Sequence, residues 1–332
     1  MALNILTCLK NGEDLPREVV NYMYETGGFL ILKDFPEGHE FGIDYKSWNV
    51  GPKFMGIKMI PPGVHFIYCS MNKAPRIGFF HDFKSREVVV KKWDKRKEDI
   101  SDEEIDHDEL IRYQTNLKNM DSMLGPYPYE NYRSWYALTD FITGDSLNRL
   151  NPLKGRISAQ AELVSLETQL MEDQELNAGV GCSNSVDRDH PKRTRFVDHN
   201  GLPIMKIREG YEIRFQSIPQ LVVNSNRSGI DYSDRLDQLI SQLGGDWKQL
   251  LAEVQFAFAC FLIGQVLFFQ LKECPSDFFV DIVSRDNFLT TTLSMLFANI
   301  RDADVISADL KKKSLQFKNY LTKQFKWDFE CD

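Results

Sequence analysis

The chain has 332 residues, of which 42% are hydrophobic, and its formal net charge is -8. This length is enough for two domains with substantial cores. An acidic protein is repelled by phosphate backbones, so the charge argues against nucleic acid as the default partner. We therefore expect no direct DNA binding, while a local basic patch leaves an RNA contact open.

Cysteine spacing and hydropathy argue against a zinc site and a membrane span. The six cysteines are spread over the whole chain and form no C-x-x-C pair, whereas structural zinc needs ligands at short spacings. Residues 1–15 do not have the pattern of a targeting peptide. The apolar run at 256–264 is shorter than the roughly 20 residues of a spanning helix, which predicts a buried core helix and no membrane partner.

The first half of the chain has the pattern of a β-rich domain. An N-terminal extension, residues 1–27, contains a predicted helix that stops at Gly27 and Gly28. Short apolar runs then alternate with Gly and Pro turn signals, which is typical of an antiparallel sandwich or barrel. We predict a β-sandwich-like N-terminal domain at 28–165. Two helices are expected within it, one started by a capping box at Ser101 and one over 132–142.

The second half of the chain is predicted to be helical. A polar stretch rich in Asp, Asn, Gly and Ser predicts a flexible linker at 166–205. Apolar residues at helical spacing then predict an α-helical bundle domain at 206–332, with its last helix capped by Ser307. At the end of the chain, aromatic residues alternate with polar ones, which predicts a strand-like tail at 325–329. The predicted fold class is therefore α+β multidomain.

Motifs for catalysis and ligand binding are incomplete. Gly51 and Gly56 have the spacing of a phosphate-binding loop, but Ile57 stands where that motif requires lysine. Neither H-E-x-x-H nor G-x-S-x-G occurs. Asp44 and His65 remain as candidates for a hydrolase site in the β domain. An ordinary turn residue explains Asp44 equally well, and for His65 the apolar strand around it favours a hydrogen-bonded core or sheet-face histidine. We predict no catalytic, cofactor or metal site.

Binding signals are stronger than catalytic ones. The tail residues Phe325, Trp327 and Phe329 can add as a strand to the sheet of a partner, and the alternative is that they pack on their own helices. Weaker candidates for partner binding are Asp277 and Asp286. An acidic residue in the first turn of a helix is also stabilised by the helix dipole, which explains Asp277 without a partner.

Several blocks of sequence, taken together, resemble one family. They are FGIDYKSW (41–48), VGPKFMGIKMIPPGVHF (50–66), EVQFAFACFLIG (253–264), DFFVDIVSRDNFLTTTL (277–293) and LTKQFKWDF (321–329). The chain resembles the A1-cistron-splicing factor family, the U5 small nuclear ribonucleoprotein (snRNP) assembly factors. The resemblance implies an N-terminal β-sandwich-like domain, a linker and a C-terminal helical domain, and a protein that is not an enzyme.

The same resemblance implies a function and a partner. Such proteins are assembly chaperones of the U5 snRNP in pre-mRNA splicing. They bind the large U5 scaffold protein through its RNase H-like and Jab1/MPN domains, within a U5 snRNP precursor, and block early docking of helicase and RNA. The implied location is the cytoplasm, with shuttling to the nucleus. An RNA-binding module and a hydrolase remain the alternatives.

The chain departs from this family after Gly264. Too few residues separate the helix at 253–264 from the block at 277–293, which predicts a shortened helical domain. The loss of helices is expected to expose part of the helix face that carries Phe258, Phe261 and Leu262.

Overall fold

The structure is a computed structural model that describes residues 16–101, 103, 105–159, 163–165, 204–219, 233–265, 288–303, 306–325 and 329. The chain divides into two compact units between Leu267 and Phe268. The first unit contains the β-sheets, and the described part of the second is helical. The predicted α+β class, with a β-rich N-terminal region and a helical C-terminal region, is confirmed.

Most of the described strands form two five-stranded sheets, sheet 1 in the order β8-β7-β1-β4-β9 and sheet 2 in the order β10-β6-β5-β2-β3. The strands are β1 (Gly28–Lys33), β2 (Glu40–Ile43), β3 (Lys46–Asn49), β4 (Gly56–Ile60), β5 (Gly63–Ser70), β6 (Ile77–Phe83), β7 (Val88–Asp94), β8 (Asp99–Ile100), β9 (Leu124–Pro126), β10 (Ile157–Ser158), β11 (Leu163–Ser165) and β12 (Met205–Ile207). Sheet 2 is antiparallel throughout. Sheet 1 is mixed, because β1 pairs with β7 and β4 pairs with β9 in parallel.

The described helices are α1 (Arg17–Thr26), α2 (His107–Asn116), α3 (Tyr132–Thr139), α4 (Gly144–Leu150), α5 (Ser233–Gln242), α6 (Trp247–Leu262), α7 (Phe288–Asp302) and α8 (Ala308–Phe325). The capping box predicted at Ser101 is wrong, because the Ser101 N–H donates to the Lys92 carbonyl and prolongs the ladder between β7 and β8. Helix α2 begins later, at His107. The predicted Ser307 cap is confirmed, since its hydroxyl accepts from the Leu310 N–H at 3.3 Å.

The hydrophobic core has three layers in the first unit. Between the two sheets lie apolar side chains from both, among them Leu30, Phe41, Ile57, Ile67 and Phe83. The outer face of sheet 1 packs against α2, and the outer face of sheet 2 packs against α3, α4 and α6. Neighbouring residues of a strand point to opposite faces of the sheet. A strand that is buried on both faces is therefore a continuous run of apolar residues in the sequence.

Helix α6 belongs to this first unit. The Phe256 ring is fully buried and lies 4.7 Å from the Phe80 ring on the outer face of sheet 2. Polar contacts hold the same helix: the Gln255 side chain accepts from the Phe141 N–H at 2.9 Å, and Arg149 forms an ion pair with Glu253. The structure thus differs from the predicted division, which placed this helix in a separate domain at 206–332. An uncovered sheet 2 would leave its outer aromatic side chains in water, which explains the docking.

The predicted linker lies almost entirely outside the described residues and stays a prediction. Strands β11 and β12 flank it and pair in antiparallel register, from Leu163 with Ile207 to Ser165 with Met205. The two ends of the intervening segment are therefore held side by side. In the described parts of the chain, no helix is long and apolar enough to cross a membrane.

Candidate functional site

A buried polar network joins the two sheets at the centre of the first unit. Asp44 lies in the turn between β2 and β3 with φ of 54°, and it is completely buried. Its Oδ2 atom lies 2.7 Å from Nδ1 of His65 and accepts a hydrogen bond from the Tyr127 hydroxyl at 2.6 Å. Its Oδ1 atom accepts from the Phe66 N–H at 2.9 Å.

The hydrogen bonds of His65 define where the protons lie. Its Nε2 atom is 2.8 Å from the Pro61 carbonyl, which can only accept, so Nε2 carries a proton. The other ring nitrogen, Nδ1, is hydrogen-bonded to Oδ2 of Asp44. Burial, followed by the negative charge of Asp44, raises the pKa of Tyr127 far above its ordinary value, so its hydroxyl stays protonated and donates.

This network has the properties of a structural support. His65 and Tyr127 are each at most 3% exposed, so no group of the network faces solvent. The carboxylate already receives hydrogen bonds on both oxygens, and both imidazole nitrogens are engaged. A general base must reach a substrate proton, and this pair has no open position for one. The prediction that His65 is a hydrogen-bonded core histidine is confirmed.

Other candidate sites from the sequence have structural explanations. Gly56 begins β4 with φ of 145°, and a Cβ atom there would lie 1.9 Å from the Leu30 carbonyl oxygen. The glycine is required for close strand packing and does not form a phosphate loop. Among the residues that the structure describes, no cluster of three or more His, Cys, Asp or Glu side chains is placed to hold a metal ion.

The tail residues predicted to bind a partner lie at the end of the second unit. Phe325 is the last residue of α8, so the structure differs here from the predicted strand, because the helix continues to that point. Phe329 is only 3% exposed and packs edge-to-face on Phe297, with ring centroids 5.3 Å apart, beside Leu321. For this residue the structure matches the alternative of packing on its own helices. Trp327, Asp277 and Asp286 lie outside the described residues.

The second unit exposes apolar and cationic groups together. A cavity of about 450 Å³ between α7 and α8 is lined by apolar Phe297 and Phe329, with Arg301, Lys311 and Lys312 among its cationic lining residues. Several large apolar side chains on these helices are exposed by 45% or more: Met295, Leu296, Leu310, Leu315, Phe317 and Tyr320. Such a surface is typical of a protein interaction site.

The sequence did not predict a second accessible feature, a cleft on the first unit. This cleft has a volume of about 500 Å³ and lies between the edge strands of the two sheets. Trp48 of β3 and Pro126 of β9 line opposite sides of it, above Ile57 and Met59. The sequence signal for this cleft is the group of aromatic residues Phe41, Tyr45 and Trp48, a residue type that is found in cores as well as in interfaces.

The described residues thus form a β-sandwich with a closed polar core and with helices on both outer faces, followed by a helical second unit. Comparison with known sequences identifies the family. A model of the AAR2 N-terminal domain matches residues 26–152, and a model of the AAR2 C-terminal repeat region matches 213–267 and 264–330. The chain belongs to the AAR2 family, the A1-cistron-splicing factors, as its sequence blocks predict. Family membership supports a splicing-related role, and the family name denotes no catalytic activity.

Curated relatives share most of their length with this chain. The Protein AAR2 homolog of Caenorhabditis elegans is 60% identical, covering 97% of this chain and 100% of that protein. The mouse homolog is 34% identical and the human homolog 33%, each covering 95% of this chain and 93% of the relative.

The alignment also shows that this chain lacks residues that a relative has. It extends over 356 positions with the C. elegans homolog, which is 24 more than the 332 residues of this chain. At least 24 positions of that alignment therefore have no residue in this chain. The two matches to the C-terminal model meet at 264–267, which agrees with the shortening predicted after Gly264.

Proposed function

We propose that this protein is a non-enzymatic assembly chaperone of the U5 snRNP in pre-mRNA splicing. It binds the large U5 scaffold protein at its RNase H-like and Jab1/MPN domains and occupies a surface that helicase and RNA would otherwise use. The observation that carries this proposal is membership of the AAR2 family along both halves of the chain. The proposed location is the cytoplasm during assembly of the precursor, followed by passage to the nucleus.

Physical features of the chain support binding rather than catalysis. The buried pair of Asp44 and His65 has no group facing solvent, and the second unit presents exposed apolar side chains beside cationic ones. The overall charge of -8 favours a protein partner over an RNA backbone. The proposed mechanism is competitive occlusion, which requires affinity and shape but no reactive group.

A competition assay tests the proposal. The purified chain is mixed with a scaffold fragment that contains the RNase H-like and Jab1/MPN domains, and binding of the U5 helicase to that fragment is measured with increasing chain. We expect the chain to bind the fragment and to displace the helicase. Failure of the chain to bind the fragment would refute the proposal, as would simultaneous binding of chain and helicase without competition.

The tail is tested separately with matched variants. Trp327→Ala removes one of the three alternating aromatic side chains, and Lys326→Ala changes its neighbour on the other face of the predicted strand. We expect the first variant to bind the scaffold fragment at least about tenfold more weakly and the second to bind as the native chain does. Phe329→Ala is less informative, because Phe329 also stabilises the packing of α7 on α8. Equal affinities of the two tail variants for the scaffold fragment would show that the tail does not contribute to the interface.

A further inference from the structure

We propose that the outer edge of β3, together with the cleft beside it, is a docking surface for an extended segment of a partner protein. The segment adds to sheet 2 as a further strand. This inference rests on the proposed function in one respect, because it assigns the segment to the U5 scaffold protein. It goes beyond that function by naming a second contact surface, on the first unit and separate from the tail.

The backbone of β3 has hydrogen-bonding groups that point away from its sheet. β3 is the last strand in the order of sheet 2. Val50 faces β2, because its N–H donates to the His39 carbonyl at 3.0 Å and its carbonyl accepts from the Gly38 N–H at 2.8 Å. Successive residues of a strand direct these groups to alternate sides, so Asn49 and Ser47 direct theirs outward. An edge of this kind is a template for strand addition.

The cleft provides a place for the side chains of an added strand. It is lined by the side chains of Lys46 and Trp48, with Phe54 and Ile57 deeper in the core. Its volume of about 500 Å³ falls within the range of well-formed binding pockets. Because side chains alternate along a strand, every second residue of an added segment would enter the cleft.

The two β3 side chains in the cleft specify the chemistry of the segment. Trp48 is half-buried and offers an aromatic surface to an apolar side chain opposite it. Lys46 is exposed and lies two residues away on the same face, where it would pair with an acidic side chain. The expected segment therefore carries an acidic residue and a large apolar residue two positions apart. The competing explanation is that Lys46 protects a bare edge from aggregation.

The test combines amide exchange on the native chain with one pair of variants. The probe is the scaffold fragment with its RNase H-like and Jab1/MPN domains. On binding, the backbone amides of Ser47 and Asn49 should become protected from hydrogen exchange, which requires no mutation. Asn49→Pro removes the outward N–H while the bonds of Val50 to β2 remain, and Asn49→Ala keeps that N–H. We expect Asn49→Pro to bind about tenfold more weakly or worse, and Asn49→Ala to bind as the native chain does.

The outcomes separate this inference from the proposed function. Tight binding of the fragment with no protection at Ser47 and Asn49, and with equal affinity for the two variants, would refute the docking edge and leave the proposed function standing. Absence of binding by the native chain would refute the proposed function and the assignment of the segment to the scaffold. Loss of affinity in Asn49→Pro without protection of those amides in the native complex would also overturn the inference, because it would indicate misfolding of β3.

Discussion

The Tyr127 hydroxyl allows a specific perturbation of the buried network. Tyr127→Phe keeps the ring, which lies 5.2 Å from His65, and it opens no cavity around the aromatic core. It removes a hydrogen bond of 2.6 Å to the Asp44 carboxylate. A hydrogen bond to a charged group contributes about 1.5–3 kcal/mol, so we expect the free energy of unfolding to fall by that amount. The matched control is Tyr129→Phe, whose hydroxyl donates to the neutral Met59 carbonyl, and its expected cost is about 0.5–1.5 kcal/mol.

The assay is urea unfolding of native protein and both variants at pH 7, followed by tryptophan fluorescence. Trp93 and Trp135 are buried in the first unit and report its unfolding. We expect the midpoint to fall further for Tyr127→Phe than for Tyr129→Phe, at an unchanged slope with denaturant. Equal midpoints for the two variants would refute the reasoning, because they would show that the charge of Asp44 does not strengthen the bond. A smaller loss for Tyr127→Phe would refute it more strongly.

Three further predictions concern packing, backbone and charge. Phe256→Ala removes a fully buried ring from α6 and should lower the free energy of unfolding by about 3–5 kcal/mol in the same urea assay. Gly56→Ala should lower it by more than about 3 kcal/mol, since the new Cβ atom would overlap the β1 backbone, whereas Gly51→Ala should have little effect because no atom lies within 4 Å of its Cβ position. The hydrogen bond from Lys33 lowers the pKa of Glu109 in the folded protein. This hydrogen bond therefore stabilises the fold fully at pH values above the unfolded pKa of Glu109, near 4.3, and the stabilisation is lost as the pH falls through the folded pKa. Glu109→Gln should therefore be less stable than native protein at pH 7, and the midpoint difference should vanish in acid.

The elements of the sandwich could be predicted because their signals are local. Short apolar runs and turn glycines define the strands, and Ser307 defines a helix start. The buried network could not be predicted, because its members lie 21 and 83 residues apart in the sequence. The sequence did carry part of the signal: His65 stands between two apolar residues, and a buried polar group needs hydrogen-bond partners. Which partners those are depends on the antiparallel pairing of β2 with β5 and on the parallel pairing of β9 with β4, and no local pattern indicates either.

The position of α6 on sheet 2 also could not be predicted from local sequence patterns. It bears on the residues that this chain lacks relative to its C. elegans homolog. One side of this helix packs on sheet 2 through Phe256, whereas Val254, Phe258 and Leu262 are exposed by 46–58%. These three follow one another at intervals of four residues and therefore share one side of the helix. A helix that is apolar on two sides is normally covered on both.

The positions that this chain lacks relative to its C. elegans homolog are numerous enough to provide that cover if they form one helix. At 1.5 Å per residue, 24 helical residues span about 36 Å, against about 24 Å for the 16 residues of α6. The break in the family match falls at 264–267, just after α6 ends and outside the predicted sandwich domain at 28–165. If the scaffold binds the homolog through the exposed side of α6 or through whatever covers it, the two proteins will differ in affinity. Contact through the β3 edge predicts no such difference, so a comparison of the two proteins distinguishes the surfaces.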